Sequence, residues 1–171
     1  FHEFASNFRE DDRVFIISSI FGGTGAAGFP VVLKNIRNAL QTVDLNSRAL
    51  LANAKIGAIS VLPYFNIESS DDSPIQKSHF IAKTKSALYY YRQNVTGNQS
   101  VNAMYYIADE YGGTPYENDP GNDGQQNDAH FVELASALAI LDFLSLQDST
   151  LQSANGQAVK PLYRGFSIRD D

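Results

Sequence analysis

The residues with the clearest chemical potential form a glycine-rich stretch, GGTGAAG over 22–28, between an apolar segment and a helical pattern. Backbone N–H groups at the amino end of a helix, together with the helix dipole, form a natural binding site for phosphate. Glycine suits such a turn because it has no Cβ to hold phosphate oxygens away and because positive φ costs it little. The predicted phosphate contacts are Gly22, Gly23, Thr24, Gly25, Ala26 and Gly28. The alternative is a tight strand-to-helix turn that binds nothing.

Two common phosphate-binding designs fit this stretch incompletely. A P-loop requires Gly-Lys-Ser/Thr, but Gly28 is followed by Phe29 and the nearest lysine is Lys34. The dinucleotide pattern G-x-G-x-x-G does match residues 23–28. Its ribose-binding acid is missing, however, because the next apolar segment ends in VLPYFN over 61–66. An NAD(P)-binding, Rossmann-type oxidoreductase therefore stays an alternative.

The elements that must position this turn alternate along the chain. β-branched and apolar runs predict strands, and apolar residues at helical spacing predict helices. The expected strands are Arg13–Phe21, Lys55–Phe65 and Val101–Ile107, and the expected helices run from Pro30, over His79–Gln93 and over Asn127–Leu146. We expect the first strand to be buried on both faces and Pro30 to occupy the first helical turn. This order predicts an α/β fold with a mainly parallel sheet covered by helices on both faces.

Two helical segments carry further expectations. The last helix can be capped by Asn127 or Asp128. Five large apolar residues share one of its faces, which predicts a central, heavily buried helix: Phe131, Leu134, Leu138, Leu141 and Leu144. The tyrosines 89–91 of the preceding helix could stack on a base, but the favoured interpretation is burial against the sheet.

Composition excludes several classes of function. The chain has 171 residues, a net charge of −6 and no cysteine; its first residues do not resemble a signal peptide, and no apolar run is long enough to span a bilayer. We therefore expect a cytoplasmic protein with neither a nucleic-acid nor a membrane partner. The acidic segment 119–128 does not match the calcium-loop pattern, so no metal site is predicted.

With its preceding residue, the glycine stretch reads FGGTGAAG and resembles the GGTG-containing motif of the tubulin and FtsZ superfamily. The following elements are also similar in order to that family's GTPase domain. Val61-Leu62-Pro63 ends a strand, an acidic loop follows at 68–72, and the Ile107-Ala108-Asp109-Glu110 group is similar to the family's Ile-Asp-Asn-Glu before its long central helix. The resemblance covers residues 13–146 of what we interpret as a single nucleotide-binding domain fragment over 1–171. The tail 147–171 is unassigned.

The resemblance implies binding of GTP or GDP, which Mg²⁺ can accompany, with Asp109 contacting the nucleotide and Asn127 the guanine base. It also implies GTPase-linked polymerisation or assembly in a longer parent protein. Phe21 and Ala27 stand where the family has a small residue and a glycine, which indicates a divergent bacterial branch. The family's earlier nucleotide loops and its later acidic loop are absent, so we expect no GTP turnover by this chain alone. A non-catalytic assembly module is a further alternative.

Overall fold

The computed structural model describes residues 1–38, 44–64, 77–108, 130–151 and 162–164, with 77–78 and 162–164 described by their backbone only. Within these ranges the elements are α1 (His2–Asn7), β1 (Arg13–Ser19), α2 (Gly23–Asn38), α3 (Leu45–Asn53), β2 (Lys55–Val61), α4 (Lys77–Tyr91), β3 (Ala103–Ile107), α5 (Phe131–Ser145), α6 (Asp148–Leu151) and β4 (Leu162–Arg164). A π-helical turn, Arg92–Thr96, continues α4.

The strands form a parallel sheet in the order β1-β2-β3-β4. Ser18 of β1 pairs in register with Ser60 of β2, which pairs in turn with Tyr106 of β3. The predicted α/β class and parallel sheet are confirmed for this part of the chain. The edge strand β4 comes from the tail that sequence patterns left unassigned.

The strand buried on both faces is β2, not β1. The five central residues of β2 are buried, because β1 and β3 flank the strand and helices cover both of its faces. In contrast, β1 forms one edge of the described sheet, and Ile17 is 56% exposed. The expectation for β1 was wrong because a continuous apolar run does not reveal whether a strand has one neighbour or two.

Each face of the sheet carries its own apolar core, as the alternation of side chains along a strand requires. On one face, Ile56 and Ala58 pack with Leu33 of α2. On the other, Ile59 and Tyr105 pack with Phe143 of α5. Helices therefore cover both faces, as predicted.

Helix α2 begins at Gly23, seven residues before Pro30. Pro30 was expected in the first turn but lies inside the helix, so the glycine stretch is itself the first turn rather than a loop before it. Sequence periodicity missed this because glycine has low helix propensity and here the packing onto β1 overrides it.

The five apolar residues predicted to bury α5 face solvent instead. Leu134 is 64% exposed and Leu138 is 45% exposed. The residues that contact the sheet are Val132, Ala139 and Phe143, on the opposite side of the helix. Since α5 is apolar on nearly all sides, its pattern could not show which side packs. We call the residues of the solvent face the α5 stripe: Phe131, Leu134, Leu138, Leu141 and Leu144.

Helix α3 was not predicted. Asp44 caps it by accepting hydrogen bonds from the backbone N–H groups of Asn46 and Ser47 at 2.9 and 3.1 Å. The cap of α5 is His130, whose Nδ1 accepts from the Val132 N–H, and the predicted caps Asn127 and Asp128 lie outside the described residues. No helix within the described ranges is long and apolar enough to cross a membrane.

Candidate functional site

The glycine turn lies at the carboxyl end of β1, where parallel sheets of this kind bind ligands. The ladder continues one residue past β1, because the Ile20 N–H donates to the Val61 carbonyl at 2.9 Å. Helix α2 starts three residues later, and the Ala26 N–H closes its first turn on the Gly22 carbonyl at 2.9 Å. The N–H groups of Gly23, Thr24 and Gly25 precede that bond, so the helix itself offers them no acceptor.

The glycines of the turn have different physical roles. A Cβ on Gly25 would lie 2.2 Å from the Ser19 carbonyl oxygen, so Gly25 permits close packing of α2 on β1. A Cβ on Gly23 or Gly28 would meet nothing within 4 Å, and one on Gly22 would make an ordinary contact at 3.7 Å. None of these four glycines has a φ in the left-handed region, so a backbone need for positive φ does not explain them. The space beside Gly23 is free for a ligand.

The structure brings five of the six predicted phosphate contacts, residues 22–26, into one turn. Thr24 is exposed and its hydroxyl can reach a ligand. The Ala26 N–H is already committed to Gly22, and Gly28 lies in the second turn, where helical geometry directs its N–H to Thr24. Asp109 and Asn127 lie outside the described residues, as does the acidic segment 119–128.

A groove of about 580 Å³ opens from this turn between α2 and α4. Ala26, Ala27 and Ala87 line its walls, and their small side chains leave it open. Lys34 of α2 and Lys83 of α4 also line it, and no described acidic residue does. The further lining residues are Ile20, Phe21, Gly22, Gly23, Pro30, Val31, Tyr90 and Tyr91. The groove is thus apolar with two cationic groups.

The three consecutive tyrosines 89–91 differ in how far they are buried. Tyr91 is fully buried, as predicted, whereas Tyr89 and Tyr90 are exposed, which corrects the expectation of burial against the sheet. Helical geometry explains the difference, because consecutive residues are about 100° apart and cannot all face the sheet. Tyr90 therefore presents its ring at the groove.

Tyr91 compensates for the proline inside α2. Pro30 has no N–H, so the Ala26 carbonyl, four residues earlier, cannot receive its helical hydrogen bond. The Tyr91 hydroxyl donates to that carbonyl at 2.9 Å. Its ring packs edge-on against Phe29, and burial, with a smaller contribution from Tyr106, raises the pKa of Tyr91 to about 12. This contact fixes α4 against the glycine turn.

Two buried hydroxyls lie near the same end of the sheet. The side chains of Ser18 and Ser60 are cross-strand neighbours, and both oxygens are buried without a hydrogen-bond partner in the described structure. They share the sheet face of Ile20, which lines the groove. Buried polar atoms are normally paired, so these two hydroxyls are an exception within the described core.

The opposite end of the sheet has a larger cavity of about 930 Å³, lined by Arg37. The Arg37 guanidinium donates to the carbonyls of Ala52, Ala54 and Ser100 at 2.6 to 3.0 Å, and also to Asn102 Oδ1. Burial lowers the pKa of Arg37 to about 10. These acceptors include the carboxyl end of α3, where the helix dipole stabilises a cation. Arg37 is therefore a structural cation. No motif in the sequence predicted this role.

Arg13 has a comparable role at the carboxyl end of α5. It donates to the carbonyls of Phe143 and Leu146 at 2.7 and 2.8 Å and pairs with Asp148 at 2.7 Å. Lys55 forms a second, short ion pair with the same carboxylate. Sequence reasoning missed this cluster because its members are about 40 to 135 residues apart.

In the described residues, no three histidine, aspartate or glutamate side chains lie together as metal ligands. Comparison of the chain with protein-family models, with curated proteins and with solved structures gave no match in any of the three.

Proposed function

We propose that this domain binds a guanine nucleotide, GTP or GDP, and holds its phosphates on the first turn of α2. The observation that carries the proposal is the direct passage from parallel strand β1 through Gly22 into a 16-residue helix, with open space beside Gly23. Three N–H groups and the positive end of the helix dipole converge there on one small volume. The preference for guanine rests on the resemblance of FGGTGAAG to the tubulin and FtsZ motif.

Thermal stability in the presence of ligands tests the proposal. We expect GTP and GDP to raise the Tm, because a ligand that binds only the folded state stabilises it. NAD⁺ and NADP⁺ should leave the Tm unchanged. A shift with NAD(P)⁺ and none with guanine nucleotides would support the dinucleotide-binding alternative instead.

A carboxylate at position 23 separates binding from folding. Gly23→Asp has room for its side chain, and an acid in the first turn of a helix is favourable to stability, but it repels phosphate. We expect Gly23→Asp to fold at least as stably as the wild type and to lose the GDP-dependent shift. Val32→Asp adds the same charge at an exposed position of α2 away from the groove, and it should keep the shift. Equal GDP binding by all three proteins would refute the site.

A second candidate function is a non-catalytic assembly module, which the α5 stripe favours. Five neighbouring large apolar side chains on one exposed helix face are typical of an interaction surface. Sedimentation of the wild type against Leu138→Glu tests it, because a carboxylate in the middle of the stripe should abolish any association. If both proteins sediment as monomers over the same concentration range, self-assembly through α5 is wrong.

A further inference from the structure

We infer that the groove between α2 and α4 holds the base of the bound nucleotide, stacked on Tyr90, and that Lys34 and Lys83 give the groove a positive potential that attracts the anionic ligand. This inference rests on the proposed function and adds to it the position of the part of the ligand that carries no phosphate.

The groove is continuous with the phosphate site. Gly23, the first residue of α2, and Gly22, whose carbonyl accepts the first hydrogen bond of the helix, both line the groove. A ligand held by the turn can therefore extend between the two helices without crossing the sheet. The volume of about 580 Å³ lies within the range of small-molecule sites, which are mostly apolar with a few polar groups.

Tyr90 supplies a surface for stacking. Its side chain is 51% exposed, although its neighbour Tyr91 is fully buried. Every base has a π-face, and stacking on an aromatic side chain is a general means of binding one. Tyr91 holds α4 against Ala26 of α2, so the helix that carries Tyr90 has a fixed position beside the turn.

The charges of the groove favour an anionic ligand. Lys34 and Lys83 are exposed, and neither forms an ion pair with another described residue. Two lysines without acids in the lining give a local positive potential, although the chain as a whole has a net charge of −6. Such a groove attracts an anionic ligand such as a nucleotide.

The inference differs from what the family resemblance implies, since the resemblance assigns the base to Asn127, in the segment before α5. Helix α5 packs on the opposite face of the sheet from α2. The two positions are therefore distinguished by substitution at Tyr90 and at Asn127.

Calorimetric titration with GDP, and with pyrophosphate as a probe that lacks a base, tests the inference. Tyr90→Ala should weaken GDP binding about ten-fold, as expected for a lost stacking contact, and leave pyrophosphate binding unchanged. Tyr90→Phe should bind like the wild type because it keeps the ring. Tyr89→Ala is the matched control, since Tyr89 is exposed on the same helix but does not line the groove.

The salt dependence of GDP binding tests whether Lys83 contributes to it. Lys83→Ala should weaken GDP binding several-fold and reduce its sensitivity to NaCl, because salt screens the lost interaction. Lys85→Ala removes the same charge from an exposed position of α4 outside the groove and should have neither effect.

The outcomes separate the two proposals. If the wild type binds neither GDP nor pyrophosphate, the proposed function and this inference both fail. If the wild type binds GDP and Gly23→Asp does not, while Tyr90→Ala and Lys83→Ala match their controls, only the groove assignment is wrong. Loss of GDP binding in Asn127→Ala but not in Tyr90→Ala would place the base beside α5 and overturn the inference.

Discussion

The hydrogen bond between Tyr91 and Ala26 allows a sharp prediction about how this fold tolerates a proline inside α2. Tyr91→Phe keeps the buried ring and its contact with Phe29 but removes the hydroxyl. The Ala26 carbonyl then has no donor from Tyr91, and Pro30 cannot supply one. Pro30→Ala introduces an N–H at the position from which a helix normally bonds this carbonyl.

The expected cost follows from the environment of the bond. A typical hydrogen bond contributes about 1 kcal/mol net, and a buried polar group left without a partner costs about 1–3 kcal/mol. Since this bond is partly buried, we expect Tyr91→Phe to lower the free energy of unfolding by about 1.5 kcal/mol. For a chain of this length that corresponds to a decrease in Tm of roughly 3–6 °C. In the Pro30→Ala background the cost should fall below about 0.5 kcal/mol, a coupling near 1 kcal/mol.

Urea denaturation of the four proteins in this double-mutant cycle, followed by circular dichroism, gives the coupling free energy. If Tyr91→Phe costs the same with proline and with alanine at position 30, the hydroxyl does not compensate for the proline and the reasoning is refuted. The pH dependence is a second test. Because the folded-state pKa of Tyr91 is raised to about 12, its contribution is present below the ordinary pKa near 10 and is lost between the two values. Tyr91→Phe should lack that alkaline loss.

Three further predictions follow from the packing and the caps. At a concentration where the protein is monomeric, Leu138→Glu should leave the Tm within about 2 °C of the wild type because Leu138 is exposed, whereas a buried stripe would make it strongly destabilising; differential scanning fluorimetry decides. Gly57→Ala should destabilise by about 1–3 kcal/mol in urea, because its Cβ would lie 2.7 Å from the Phe15 ring and 2.9 Å from that of Phe143; an unchanged midpoint would contradict this packing. Asp44→Asn should reduce stability at neutral pH but not below the folded-state pKa, because the hydrogen bond from the Ser47 side chain lowers the pKa of Asp44 and its contribution is lost as pH falls through that value; a gap independent of pH would disprove the charge effect.

Much of the fold could be predicted from local sequence patterns. The segment Lys55–Val61 is mostly apolar and ends before Pro63, and it forms a strand as predicted. The alternation of strands and helices predicted the parallel sheet. Local patterns could not show which elements lie next to one another in the fold. They could not show that β1 is an edge, nor which side of an all-apolar α5 contacts the sheet, because both depend on contacts distant in sequence.

The candidate site was predictable where chemistry is encoded locally. The glycine stretch predicted the position of the turn, but no local pattern predicted a helix that begins as early as Gly23. The groove itself depends on α4 lying beside α2, which brings Lys83 and Tyr90 to residues about 50 to 70 positions earlier. No motif links these residues, and only the tertiary arrangement brings them together.

The position of β1 at the edge of the described sheet bears on the tendency of the protein to aggregate. The segment Val14–Ser19 is β-branched and aromatic, carries no charge and contains no proline, which is the composition of segments that stack into cross-β fibrils. Within the described sheet one side of this strand has no partner strand, and Arg13 is its only charged residue. We therefore expect the strand that leads into the glycine turn to be prone to edge-to-edge pairing at high concentration. Arg13, the one charged residue of β1, is held by the carbonyls of α5 and by Asp148, so it leaves this edge without a free charge to oppose pairing.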